Sequence, residues 1–275
     1  MPYAILLNEL IPLDLERTAR ILAKARDIIY ADATRTVRHC YGILASGLGY
    51  DEAKAIADEL NRTGVGVFVM DQNQMYQPEP AVVINNADCL EECFNVQDLY
   101  GRSHPLLWPN IILISLGRIL QRKETVTYSS SPARSAMRGL GIGGLAMFGG
   151  GMIYLAPADS SPVRKTTEEE IFVLDIFSNV PQKNHYRIQH NAFNYDYLGP
   201  RVKMTAAENF HLLVEDLVGY AKQAYGNRGV NAYLSGGDPK KMDYNDLNHF
   251  DKENVWLLQL MHVQPSAPEE QATAR

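Results

Sequence analysis

The sequence predicts an α+β protein: a small N-terminal βααβαβ domain followed by a mostly antiparallel β domain with C-terminal helices. In the first seventy residues, apolar positions recur at helical spacing in three segments, with short apolar runs of strand length between them. Runs of β-branched and aromatic residues separated by turn residues then fill the middle of the chain. Helical periodicity returns after residue 205.

Residues 3–11 are a short apolar run closed by Pro12. With no charged leader and no small-residue cleavage site, this run reads as a first strand rather than a secretion signal. Asp14 suits the N-cap of the helix that follows, where Leu15, Ala19, Leu22 and Ala23 share a face. A second helix is expected over 31–39, then a strand and glycine-rich turn over 41–50. In the third helix Ala53, Ile56, Ala57 and Leu60 share a face. Asp51 and Glu52 in its first turn complement the helix dipole, and Gly64 stands past its end. VGVFVM (65–70) reads as a strand buried on both faces.

Residues 71–80 are polar with two prolines, the mark of a boundary. Beyond them AVVINN, CFNVQDLYG, NIILISLGRIL, ETVTY, EIFVLDIFSN and HYRIQHNAFNY are strand-like. Thr205 opens a helix with a capping box, because Glu208 stands three residues on. Its stripe of Phe210, Leu213, Val214, Leu217, Val218 and Ala221 fits a helix laid on a sheet. A last helix over 244–261 carries Leu247, Phe250, Leu257 and Met261. The expected divisions are an α/β sandwich over 1–71, a linker over 72–80, and a β domain with closing helix over 81–225. That β domain holds a glycine-rich insertion at 129–168; a helical extension over 226–263 and a disordered tail over 264–275 follow.

Apolar residues make up 46% of the 275 and charged residues 21%, the balance of a chain that buries a core. With 26 Lys and Arg against 32 Asp and Glu, the formal charge is −6, which leaves no electrostatic footprint for nucleic acid. Three cysteines exclude a fully paired disulfide framework and point to a reducing, cytoplasmic setting.

Between Arg138 and Asp159 lie twenty uncharged residues, seven of them glycine. GLGIGG (139–144) matches the dinucleotide fingerprint, and Asp159 stands where a ribose-binding acid would. The run follows SSSPARSAMR rather than a buried strand, and Gly149, Gly150 and Gly151 would break a following helix, so a nucleotide cradle is set aside. A bilayer-contacting segment over 139–156 is the alternative, since ~20 uncharged residues would just cross a hydrocarbon core. We read a loop between two strands, next to the Ser129, Ser130 and Ser131 run, that packs on protein.

Cys89, Cys93 and His104 fall short of the four ligands of a structural zinc site. Cys40 directly follows His39, a spacing that rarely lets nucleophile and base face each other. His185 and His190 stand at an odd spacing around one strand, hence on opposite faces, and neither reads as a site. With no nucleophile elbow, paired-carboxylate pocket or P-loop, the sequence names no catalytic residue, cofactor or metal ligand. What remains is electrostatic. Arg17, Arg20 and Lys24 recur at spacings of three and four on the first helix, and Arg35 and Arg38 add a pair on the second. From Asp71 to Tyr100 there are six acids and no Lys or Arg.

The element order of residues 3–71, and within it GLGYDEAKAIADELNRTGVGVFVM, resembles the C-terminal domain of the large-subunit ribosomal stalk protein. That resemblance implies an α/β sandwich whose first two helices make a face that recruits proteins. Arg17, Arg20, Lys24, Arg35 and Arg38 fall on the equivalent helices. DIIYADAT replaces the family's glycine-rich approach to the second helix, and the family's hinge and dimerisation region has no counterpart, so ribosome binding is not carried over. LLWPNIILISLGRI is similar to the tryptophan-led strand of bacterial pleckstrin-homology-like barrels, in which the helix from Thr205 would be the closing helix. The whole chain also resembles conserved bacterial proteins without an assigned activity.

The expectation is a non-catalytic interaction or scaffold protein that meets a protein partner, a second copy of the chain included, through the five basic residues. Insertion of the glycine-rich segment into a membrane surface is the rival, and an enzyme of a type without a recognisable motif is the third class.

Overall fold

The structure, a computed structural model, describes residues 1–10, 13–97, 100–128, 162–179 and 184–263. It is α+β. The N-terminal region runs β1 (Tyr3–Leu7), α1 (Leu15–Arg26), α2 (Tyr30–Arg38), β2 (Ile43–Leu48), α3 (Tyr50–Arg62) and β3 (Val67–Asp71). Its strands form an antiparallel sheet in the order β2-β1-β3. Asp14 caps α1 as expected: its carboxylate accepts from the Arg17 backbone N–H at 3.0 Å.

Residues 4–7 of β1 are all buried, so both faces of that strand are covered. Ala19, Leu22, Val37, Ile56 and Leu60 of α1–α3 supply part of the cover. The C-terminal helix supplies more, with Trp256, Leu257 and Leu258 in the same core. Gly42 marks the closest approach. Its φ is +88°, a region open mainly to glycine, and a Cβ there would collide with the Trp256 indole. That indole N–H donates to the Leu7 carbonyl at 2.7 Å.

β3 is half-buried rather than buried on both faces, because it is the sheet edge. Asn61 guards it: the amide accepts from Val67 N–H at 2.9 Å and donates to Val67 O at 3.0 Å, occupying groups another strand would use.

The remaining strands are β4 (Val82–Val83), β5 (Ala87–Cys89), β6 (Cys93–Gln97), β7 (Ser103–Leu107), β8 (Ile111–Tyr128), β9 (Pro162–Ser178), β10 (Asn184–Gln189), β11 (Tyr225–Gly226) and β12 (Asp243–Tyr244). The later helices are α4 (Ala206–Tyr220), α5 (Arg228–Ser235) and α6 (Leu247–Val263). β5, β6 and β7 form a small antiparallel sheet, and the larger sheet runs β11-β8-β9-β10-β4 with β12 also on β8. The larger sheet is mixed. β9 and β10 are antiparallel, but β4 lies parallel to β10, and β11 and β12 parallel to β8.

NIILISLGRIL and ETVTY belong to one strand, β8, rather than two. The Thr205 capping box forms as expected, with Thr205 Oγ1 accepting from Glu208 N–H and Glu208 accepting from Thr205 N–H, both at 3.2 Å. α4 lays Phe210, Leu213, Val214 and Leu217 into a core shared with Phe94, Trp108, Leu116, Leu174 and Ile188. Residues 71–80, expected as a linker, are tied down: Tyr76 exchanges backbone N–H and C=O bonds of 2.7 and 2.8 Å with the Gln259 side chain of α6.

Among the described residues, those of 1–119 together with those from 171 onward make one compact unit, and those of 120–170 make a second. The described part of the second is strand backbone to Tyr128 and again from Pro162. The expected glycine-rich loop over 139–156, Ser129–Ser131 and the tail over 264–275 lie outside the described residues.

Candidate functional site

β9 is buried along Val173, Leu174, Ile176 and Phe177, and among them stands Asp175 at 0% exposure. A lone carboxylate there would cost several kcal/mol, so its surroundings must supply partners. The register of β9 and β10 brings them, placing Arg187 opposite Asp175 and His185 opposite Phe177. Arg187 Nε and Nη2 donate to the two Asp175 oxygens at 2.7 and 2.6 Å. His185 Nε2 lies 2.8 Å from Asp175 Oδ2, and its ring stacks on Phe177 with centroids 4.1 Å apart.

α6 completes the arrangement. Asn254 Nδ2 donates to Asp175 at 3.0 Å, Arg187 also donates to Asp251, and Ser115 Oγ on β8 donates to Asn254 Oδ1 at 2.5 Å. Burial works against the Arg187 charge, but the hydrogen bonds and fields of Asp175 and Asp251 outweigh it and raise its pKa. Over these groups lies a cavity of about 340 Å³, walled by Pro78, Pro80, Ala81 and Val255.

The chemistry available here is limited by how completely the groups satisfy one another. His185 Nδ1 lies 3.1 Å from the Glu79 carbonyl oxygen, so both ring nitrogens face acceptors and none is free toward the cavity. The Ser115 hydroxyl bonds to an amide, not to the imidazole. Nucleophile and base therefore do not meet, and Arg187 closes its fork on Asp175. The network clamps β9, β10, α6 and the 78–81 segment together.

A second buried pair joins α5 and α6. Arg228 donates to Glu253 at 3.2 and 2.9 Å; burial raises the Glu253 carboxyl, with Arg228 acting against that rise. Nearby, the Tyr244, Tyr41, His249 and His39 rings stack in series, with centroids 5.5, 4.9 and 5.4 Å apart. His39 is held below its ordinary 6.5, first by burial and then by the positive fields of His249, Arg38 and Arg35.

The five basic residues singled out from the sequence are all exposed, Arg17, Arg20 and Lys24 on α1 and Arg35 and Arg38 on α2. Arg20 pairs with Glu16, one turn away. The other four form no ion pair among the described residues. At the turn joining α1 to α2, Ile29 and Tyr30 are 67% and 47% exposed, so large apolar groups stand in water on the same helix pair as these cations. Arg17 and Arg20 also border a shallow hollow of about 330 Å³ with Asp14, Glu16 and Glu59.

Cys89, Cys93 and His104 are spread along the small sheet opposite Phe94, Leu107 and Val96. Burial and the Asp216 carboxylate push the Cys89 thiol up to about 12, with a Tyr197 hydrogen bond opposing, which keeps it a thiol. Among the described residues no group of three or more His, Cys, Asp or Glu is placed to hold a metal ion.

Sequence reading left His185 without a site and passed over Asp175 and Arg187. A signal was present: Asp175 takes the place of an apolar residue in the alternating row Ile171, Val173, Phe177, and Arg187 shares a row with His185. A charge in a core row requires a buried counter-charge. Among the described residues, no helix is long and apolar enough to cross a membrane. Compared with protein-family models, curated proteins and solved structures, the chain matches none.

Proposed function

We propose that this chain is a non-catalytic interaction or scaffold protein that docks an acidic protein on its α1–α2 face. The observation that carries the reading is that Arg17, Lys24, Arg35 and Arg38 on α1 and α2 are exposed and form no ion pair among the described residues, while Ile29 and Tyr30 stand exposed at the turn between the same helices. Cations of this kind steer an acidic partner and fix its register, while burial of the apolar pair supplies affinity. Tyrosine and arginine are the residue types on which interface energy concentrates. The resemblance of residues 3–71 to a domain that recruits proteins on its first two helices supports the same face. The Asp175 network supports it from the other side, because the most convergent ionisable groups described are closed on one another.

The test is capture from native extract on the immobilised full chain and on the variant R17E/K24E/R35E/R38E, at ~50 and ~300 mM salt. The expected result is a stoichiometric partner retained by the parent at low salt and lost both from the variant and at high salt, with unfolding midpoints unchanged. Retention of the same proteins by both chains, or of none by either, would overturn the proposal.

A further inference from the structure

We infer, resting on that docking reading, that the acidic partner of the α1–α2 face is a second copy of this chain, presenting the tip of its β5–β6 hairpin. Leu90, Glu91 and Glu92 form this tip, in a turn closed by Leu90 N–H donating to the Cys93 carbonyl at 2.9 Å. It belongs to the 71–100 stretch that carries six acids and no Lys or Arg. Glu91 and Glu92 are exposed and form no ion pair among the described residues.

The tip also has an apolar centre. The Leu90 carbonyl accepts from the Trp108 indole N–H at 2.9 Å, and that buried indole stacks on Tyr220 at 4.9 Å with an 11° tilt. Leu107 precedes Trp108 in the chain and lies opposite Cys93 in the sheet. Leu90, Leu107 and Tyr220 are 48%, 49% and 45% exposed, so the tip residue Leu90, the neighbour of Trp108 in the chain and the ring stacked on its indole all leave apolar surface in water. An apolar cluster held rigid and left in water is the usual form of a docking surface.

The α1–α2 face is the complement: Ile29 and Tyr30 stand exposed at the turn between the helices, Lys24 and Arg26 in the last turn of α1, and Arg35 and Arg38 in the last turn of α2. Residues 15–38 are net basic, six Lys and Arg against Glu16, Asp27 and Asp32, whereas Glu91 and Glu92 give the hairpin tip only negative charge, and no ion pair joins the two within one described chain. Two different patches meeting make a heterologous contact, which closes into a ring or continues as a chain of copies. The rim charges are exposed, so they set encounter rate and register, and association weakens as the screening length falls below ~10 Å.

Sedimentation velocity on the full chain from about 1 to 100 µM tests this, with R35E/R38E, E91K/E92K and the four-residue combination. The expected result is a concentration-dependent mass increase that each double reversal weakens at least ~10-fold and the four-residue reversal restores, since complementarity is regained with inverted sign. Leu90→Asn, which leaves both carboxylates in place, is expected to weaken it as well. A parent chain that stays monomeric throughout, or association indifferent to the reversals, would overturn the inference. If the parent is monomeric while R17E/K24E/R35E/R38E still loses a captured partner, only self-docking fails. If self-association responds to E91K/E92K but not to R35E/R38E, the α1–α2 docking reading fails with it.

Discussion

Two regions of this molecule concentrate charge, and they use it in opposite ways. Asp175, His185, Arg187 and Asp251 come from three elements to within hydrogen-bond reach of one another, and each is bonded by its neighbours. Arg17, Lys24, Arg35 and Arg38 are spread over two helices and form no ion pair among the described residues. The convergent set has the composition expected of a reactive centre, yet leaves no imidazole nitrogen free toward its cavity. What separates a structural clamp from a working surface is the bonding capacity left over once internal partners are satisfied. In the first region little is left and the charge holds the fold; on the second face almost all of it faces solvent.

The largest effect should come from breaking the clamp. Asp175→Asn leaves Arg187 buried with its main counter-charge gone, and urea unfolding is expected to show a loss of ~3–5 kcal/mol. A loss below ~1 kcal/mol would mean the network holds nothing together. The contrast sharpens in double-mutant cycles read by the same unfolding curves. Asp175→Leu with Arg187→Met should show coupling of at least ~2 kcal/mol, whereas Arg35→Ala with Arg38→Ala should add within ~0.5 kcal/mol.

Reversing the face charges in R17E/K24E/R35E/R38E should move stability by no more than ~0.5 kcal/mol per site while changing partner capture and its salt dependence. The smallest effect lies at His39, which follows α2 and stacks on His249 of α6. Its folded form favours the neutral ring, so its contribution is present above the ordinary 6.5 and is lost as pH falls through the window beneath that value. The residue is only partly buried, so the loss is about a few tenths of a kcal/mol between pH ~7.5 and ~5.5. His39→Gln should flatten that part of the pH–stability curve, and a curve of unchanged slope would remove His39 from the explanation.

The two regions also differ in how much of them can be read along the chain. The βααβαβ order, the Asp14 cap and the Thr205 capping box follow from local spacing, because helix stripes and caps are set by residues within a few positions. The basic stripe is equally local. β4, β11 and β12 are two-residue parallel pairings, too short to leave a period, and Pro105 disguises β7 as a turn. α5 lies within the helical extension expected over 226–263, but where it starts is set by a distant strand. Asn227 caps Val230 N–H while exchanging two bonds with the Leu116 backbone, and a Cβ on Gly229 would strike the Leu116 carbonyl.

The Asp175 network is non-local throughout. It exists only once β9 and β10 are in register and Asn254 arrives on α6, so spacing along the chain could have shown the misplaced charge but not its partners.

Amide hydrogen exchange of the full chain, followed peptide by peptide with and without its captured partner, measures most directly which region does the docking. The expected result is slowed exchange over peptides within 15–38, joined by the 90–92 tip when the partner is a second copy, with 78–81 and 184–189 unchanged. Protection over 78–81 and 184–189 with none on α1 and α2 would contradict it, and would move the working surface to the cavity above Arg187.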